Sequence, residues 1–317
     1  MPQYRIYDAI ISTTFPFRFP LLPTDADPTV VLDVVEGTRS TEGAALLFES
    51  RHREEMPPLR RVERLPECDL ITFRDDDQAE IAGDRIRYRL ADPEKGIHDF
   101  VEVRLWAACF TWWMLRRGQM PIHGGTVWLE DGPVLFLAVS GTGKSSMLAS
   151  LVAQGHPLIA DDISPVWIDE EGVAMVSSAY PQMRMWPETA RQFVGDPEIL
   201  PRVIPCMVKR RVHVGETWGS YRDGRFPLSR IFLLNRSDQT QGAITMDRLT
   251  GHEAFMELLR AMFKGPAMPI RELEPVWAQL DEVVQQVPIW RLNYPSGWEH
   301  LPDVHAAILN STPARIL

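Results

Sequence analysis

The sequence predicts an α/β fold: a mixed sheet flanked by helices and carrying a phosphate-binding loop, with a smaller β-rich domain in front of it. Three observations predict it. An apolar run, Val134–Val139, meets a Gly-rich turn and then a helix-forming segment, Met147–Gln154. Strand-like and helix-like stretches alternate after residue 100, the pattern that builds layered α/β domains. Before residue 100 the chain reads almost wholly as strands and turns. The expected division is a recognition or assembly domain over 1–100 and a catalytic domain over 101–317.

Composition narrows the class. The 317 residues are 45% hydrophobic and 24% charged, enough for an ample core. A formal net charge of -10 speaks against a nucleic-acid partner, which calls for a broad basic face. Cys68, Cys109 and Cys206 are too scattered for a disulfide framework or a Cys-x-x-Cys metal site, so a reducing compartment, the cytoplasm, is expected. Arg5 and Asp8 interrupt any early apolar run, and Leu105–Leu115 is too short to span a bilayer. No membrane partner is expected.

In the first hundred residues, Tyr4–Ser12 alternates in part, Thr29–Val35 is β-branched, and Arg85–Leu90 alternates as a half-buried strand does. Arg51–Pro66 is rich in charge and proline, and Asp75-Asp76-Asp77 reads as a solvated hairpin turn rather than a metal site. Asp99–Arg117 carries Val103, Trp106, Ala107, Phe110, Trp113 and Met114 at helical spacing, which predicts a core helix bridging the two domains. Gly118 stops it.

The chemistry begins at Pro121-Ile122-His123-Gly124-Gly125. Thr126–Leu129 and Val134–Val139 flank an Asp-Gly turn and should form a hairpin feeding the loop. The loop itself runs Ser140-Gly141-Thr142-Gly143-Lys144-Ser145-Ser146. Successive backbone N–H groups in such a loop hold phosphate oxygens, a lysine reaches the β- and γ-phosphates, and the following hydroxyl, here Ser145, ligates Mg²⁺. The helix N-terminus behind it adds partial positive charge. Ala138 stands where the pattern usually has its first glycine, so the loop closes only if that residue keeps a negative φ.

Past the helix, Pro157–Ala160 is a short strand ending in Asp161 and Asp162. Carboxylates at a strand tip after a phosphate-loop helix can hold Mg²⁺ or accept a proton from an attacking hydroxyl. Adjacent strand residues point to opposite faces, so both face one site only if the backbone turns there. Ile163–Ile168 and Val173–Ser177 form a hairpin. In Tyr180–Pro187, Gln182 and Arg184 alternate with apolar residues and share a face; Arg184 reads equally as a site residue or a surface ion pair. Lys209-Arg210-Arg211 is a basic cluster in an acidic protein, either a segment that meets phosphate or a solvated loop. Tyr221–Pro227 reads as loop and Leu228–Leu234 as a buried strand. Asn235-Arg236-Ser237-Asp238 only approximates a guanine-reading Asn-Lys-x-Asp, and no Asp-x-x-Gly follows the acidic pair, which favours ATP over GTP. Thr250-Gly251-His252-Glu253 predicts a capping box opening a helix. Val276–Val287 is a further amphipathic helix, Ile289–Tyr294 a last strand, and Trp298–Leu309 a terminal helical segment.

Taken in order, His123-Gly-Gly, the loop, Gly155-His156 and Ala160-Asp161-Asp162 resemble the C-terminal catalytic domain of HPr kinase/phosphorylase. Tyr180–Pro187 and the start of the chain are similar to HPr-kinase-related proteins of peptide-tailoring clusters, including kinases of a C-terminal serine in lasso-peptide precursors. The resemblance is specific over about 120–187. It departs where that enzyme carries Glu-Ile-Arg-Gly: here the stretch reads Pro181-Gln182-Met183-Arg184, which favours a one-way kinase over a kinase/phosphorylase.

The resemblance implies an HPr-kinase-like fold, ATP and Mg²⁺ as cofactors, and transfer to a hydroxyl of a peptide, a small protein or a small molecule. Ser140, Gly141, Thr142, Gly143, Lys144, Ser145 and Ser146 would hold the nucleotide, with Ser145 and Asp162 at the metal. Asp161 would be the base, His123 would polarise the transferred group, and Gln182, Arg184, Lys209 and Arg210 are candidate phosphate contacts. A metabolite kinase and a non-catalytic nucleotide-binding regulator are the competing readings. Related enzymes are often assembled, so a homo-oligomer is among the expected partners.

Overall fold

In a computed structural model, the described residues are 1–50, 60–97, 99–139, 141–216, 218–239, 242–262 and 274–311. Ser140 lies outside them, as does most of the charged segment 51–66. The chain divides into two compact units, Met1–Gln119 with Lys264–Trp277, and Met120–Phe263 with Ala278–Leu317.

The first unit is built on β1 (Gln3–Ile6), β2 (Ala9–Thr13), β3 (Leu22–Pro23), β4 (Val30–Glu36), β5 (Ala45–Ser50), β6 (Arg60–Arg64), β7 (Asp69–Phe73), β8 (Gln78–Ile81) and β9 (Arg85–Leu90). They form one nine-stranded sheet in the order β3-β1-β2-β4-β9-β8-β7-β6-β5. The stretch read as one strand from Tyr4 to Ser12 is a hairpin, turned at Tyr7 with φ 50°. In the acidic turn Asp77 is buried and accepts from Tyr88 Oη at 2.8 Å and the Ala91 N–H at 2.9 Å, so that residue is a structural acceptor rather than a solvated one.

The tryptophan-rich helix runs as α1 (Asp99–Arg104), a π-helical stretch Leu105–Phe110, and α2 (Thr111–Arg116). Trp112 Nε1 donates to Asp69 at 2.8 Å, and Trp113 Nε1 to the Gly83 carbonyl at 3.1 Å. Those bonds tie the helix to the first unit's sheet. The helix thus lies within the first compact unit, which runs to Gln119.

The second unit begins with β10 (Met120–Ile122), β11 (Gly124–Leu129) and β12 (Gly132–Ala138), followed by α3 (Lys144–Ala153) and β13 (Leu158–Ala160). After them come β14 (Ser164–Ile168), β15 (Ala174–Ser177), β16 (Gln182–Met185), α4 (Pro187–Phe193), β17 (Arg210–His213), β18 (Arg225–Pro227), β19 (Arg230–Arg236) and β20 (Thr245–Leu249). The end of the unit holds α5 (Gly251–Ala261), β21 (Ile289–Tyr294) and α7 (Leu301–Leu309), and α6 (Glu274–Gln286) begins in the first unit and runs into this one at Ala278. Short β18 lies within the stretch expected to be loop. Thr250 precedes α5, but its side chain makes no capping hydrogen bond; the expected capping box is not formed.

The central sheet is mixed, in the order β13-β11-β12-β19-β21-β20. Strands β12, β19 and β21 are parallel neighbours, with Ala138 opposite Leu234 and Arg236 opposite Tyr294. The β11–β12 hairpin closes at Leu129 opposite Gly132, as the Asp-Gly turn predicts. Val134 and Phe136 of β12 pack with Met147, Leu148 and Leu151 of α3, Phe232, Leu292, and Val304 of α7 in one buried cluster. That cluster anchors the strand and helix on either side of the loop. The chain is thus mixed α/β, and among the described residues no helix is long and apolar enough to cross a membrane.

Candidate active site

Everything of interest converges where β12 hands over to α3. Gly141 and Gly143 have φ of 89° and 100°, conformations open to glycine at little cost. Ala138 is absent from the positive-φ residues, so the alanine fits the turn as expected. Thr142 Oγ1 donates to the Val139 carbonyl at 2.7 Å and ties the loop to the strand. Gly143 is held close: a Cβ there would sit 3.2 Å from Tyr294 Oη and 3.3 Å from Arg236 Nη1.

The His-Gly-Gly element also has a packing reason. A Cβ on Gly125 would run into Leu148 Cδ1, and one on Gly124 would lie 2.7 Å from Leu135 Cδ1. Gly125 lets α3 lie tightly on β11, and Gly124 makes room for Leu135 and Leu137 of β12. This brings His123, just before β11, next to the loop that starts α3.

The acidic pair is presented by the turn that the strand rule demanded. Asp162 has φ 72°, a left-handed conformation rare for a non-glycine residue. As a result both carboxylates come to one lysine: Lys144 Nζ lies 3.9 Å from Asp161 Oδ1 and 3.9 Å from Asp162 Oδ1. His123 Nδ1 is 3.6 Å from Asp162 Oδ1, and Arg184 Nη1 donates to Asp162 Oδ2 at 3.2 Å. Arg184 is thus tied to the acidic pair rather than to a surface partner. Its Nη2 donates to Tyr180 Oη at 3.1 Å.

The two aspartates differ in setting. The Asp161 side chain is 4% exposed, and its Oδ2 accepts the Arg184 backbone N–H at 2.8 Å. Among the described residues its Oδ1 has no hydrogen-bond partner. The Asp162 side chain is 26% exposed and lines a cavity of about 430 Å³ together with His123, Lys144, Ser145 and Lys209. Burial alone would raise the Asp162 carboxyl, but Arg184, Lys144 and His123 outweigh it and hold it at about 2. Burial and the Lys144 charge push His123 below its ordinary value. At neutral pH Asp162 is ionised and His123 neutral.

The expected phosphate contacts divide. Lys209 lines the cavity, its ammonium 5.5 Å from the centre of the Trp186 ring. Gln182 shares the strand face of Arg184 but is buried behind it, outside the cavity lining, and among the described residues its amide has no hydrogen-bond partner. Arg210 is buried and donates to Glu198 at 2.9 Å, also away from the lining. Strand alternation brought Gln182 to the correct face but could not say how deep it lies.

Several lining residues were missed. Trp186, Glu188, Thr189, Arg236 and Trp298 all border the cavity. Arg236 Nη2 donates to the Gly141 carbonyl at 3.1 Å, and Ser146 Oγ lies 3.2 Å from Thr189 Oγ1. A signal existed for Arg236: it ends a strand parallel to β12, and ligands of open α/β sheets gather at the carboxyl ends of parallel strands.

A hydroxyl and a carboxylate could hold a divalent cation here only together with phosphates and water. Among the described residues no group of three or more His, Cys, Asp or Glu gathers to form an all-protein metal cage. Mg²⁺ instead prefers one or two carboxylates completed by phosphates and water. Ser145 and Asp162 line one cavity, and the unbonded Asp161 Oδ1 lies close behind.

No family profile and no curated relative matches the chain. Among solved structures it superposes on the Hpr(Ser) kinase/phosphatase from Coxiella burnetii with a TM-score of 0.33 and 11% identity, over 59% of this chain and 86% of that one.

Proposed function

We propose that the protein is an ATP-dependent phosphotransferase that moves the γ-phosphoryl group onto a hydroxyl, that of a serine or threonine in a peptide or small protein. The observation that supports it is the convergence on Lys144: a glycine-turned loop, two carboxylates equidistant from its ammonium, and a histidine against one of them. Phosphoryl transfer asks for positioning and charge more than covalent chemistry. These side chains supply both.

In this reading the loop N–H groups and Lys144 hold the β- and γ-phosphates, with Ser145 and Asp162 at Mg²⁺, which when bound neutralises charge between the phosphates. The proton acceptor is moved from the sequence expectation. Asp162 faces the cavity, whereas Asp161 is buried and braces the turn through Arg184. A carboxyl held at about 2 orients the acceptor hydroxyl by accepting its hydrogen bond. His123 stands beside it to take the proton. Lys209 and Arg236, on the cavity wall, are placed to offset charge on the transferring group.

The rim favours a peptide over an enclosed metabolite. Val139 is 73% exposed and Trp186 44%, both bordering the cavity. Such an apolar rim can grip a chain passing over the site. The segment 181–184 supplies no carboxylate, and the proposed reaction runs one way. In the same reading the first unit serves recognition or assembly.

The test is incubation of the full chain with ATP and Mg²⁺ against a panel of serine- and threonine-bearing peptides and small polyols, read by mass spectrometry. A phosphorylated peptide with matching ADP, lost in Lys144→Ala, supports the proposal. Bound ATP with no product in any arm would leave a nucleotide-binding regulator instead.

A further inference from the structure

A second cavity opens beside the phosphate loop. It holds about 200 Å³ and shares Gly143, Ser146, Arg236 and Trp298 with the first. The two differ in chemistry. The first is lined by Lys144, Asp162, Glu188 and Lys209. The second continues between Met147, Tyr294, Trp298 and Leu301, and the one charged side chain in its lining is Arg236, at the junction. A polyphosphate belongs with the lysines. An uncharged planar group attached to it belongs in the aromatic slot.

We infer that this slot, walled by Tyr294, Trp298 and Leu301, holds the nucleobase of the phosphoryl donor, with Arg236 bridging base and phosphates; the inference rests on the function proposed above. The walls are fixed in advance. Tyr294 ends β21 directly opposite Arg236 at the end of β19, so both stand at the carboxyl ends of the parallel strands, beside the loop. Burial pushes the Tyr294 phenol up to about 12, so it stays a neutral donor. Phe193 meets the Trp298 ring edge-on, with centroids 5.3 Å apart and planes at 84°. Gly297, with φ 129°, turns the chain so that Trp298 reaches the slot, and a Cβ there would meet the Glu299 carboxylate.

Arg236 is partly committed. Its Nη2 bonds the Gly141 carbonyl, while among the described residues its buried Nε has no hydrogen-bond partner. Asn235 and Asp238 do not line the slot, and Asn235 Nδ2 is spent on Asn293 Oδ1 at 2.7 Å. The base is therefore held by stacking and shape rather than by that Asn/Asp pair.

The test is calorimetric titration of the full chain with Mg-ATP and with inorganic tripolyphosphate, for the wild type and for Trp298→Ala. Trp298 is partly exposed, so the variant keeps the core intact. The wild type should bind ATP at least about tenfold tighter than tripolyphosphate, and Trp298→Ala should lose about that factor for ATP alone, the size of one base–aromatic stack. Equal wild-type affinity for the two ligands, or equal loss of both in the variant, overturns the base assignment while leaving the phosphate site standing. Binding of neither ligand overturns the proposed function, and this inference with it.

Discussion

At the residue scale two aspartates share one lysine, Lys144. Its ammonium stands at equal distance from Asp161 and Asp162, and only Asp162 reaches the cavity. Asp162→Asn should therefore lower turnover by about 10² or more, because it removes the charge that orients the acceptor hydroxyl beside His123. Asp161→Asn should act mainly through the turn, lowering stability and turnover together; thermal melts beside steady-state rates separate the two cases. A larger kinetic loss in Asp161→Asn with unchanged melting would return the acceptor role to Asp161. The pH profile carries the sign of the histidine shift. His123 sits below its ordinary 6.5, so kcat should hold level as pH falls through that value and decline only lower, and His123→Ala should abolish the decline.

At the level of elements, close packing seats α3 on β11 behind the loop. Gly125 admits Leu148 of α3 against β11. Gly125→Ala should overpack that contact and destabilise by about 1–3 kcal/mol, visible as a lower denaturation midpoint with an unchanged slope. On its far side α3 is clamped to α7 by His305, whose Nε2 is 2.9 Å from Ser150 Oγ and Nδ1 3.0 Å from Gln154 Oε1. Burial and the neighbouring His156 lower His305 from 6.5 to about 4. The unfolded chain binds that proton first, so stability is full above about 6.5 and falls as pH drops toward 4, by at most about 1.4 kcal/mol per unit. Melting temperatures from pH 7 to 4.5 should show this loss, and His305→Gln should flatten it.

His123, the loop and the aspartate pair were legible because each is a short motif whose chemistry depends on local spacing. Arg236, Tyr294 and Trp298 were not, because parallel pairing of β12, β19 and β21 brings them in from far along the chain. The depth of Gln182 and the ion pair of Arg210 depend on packing that alternation does not encode. The capping box at Thr250 matched in letters, yet the hydroxyl makes no cap bond.

At the scale of the whole molecule, an acidic chain concentrates cations where it needs them. Net charge is -10, yet Lys144, Lys209 and Arg236 line one cavity. ATP binding should accordingly weaken several-fold between about 0.05 and about 0.5 M monovalent salt, as screening shortens the reach of these part-exposed charges, while melting temperature barely moves. Salt-independent binding would mean that the phosphates do not meet this cluster. The first unit, with its own nine-stranded sheet, bears no part of that charge cluster. In the proposed reaction the loop and Lys144 deliver a γ-phosphoryl group to a hydroxyl. Its most direct measurement uses ATP carrying heavy oxygen in the γ-phosphoryl group, with mass analysis of the acceptor. The acceptor should gain one phosphoryl group that carries the label, with no gain in Lys144→Ala. Label found only in free phosphate, or an acceptor that gains an adenylyl group, would contradict it.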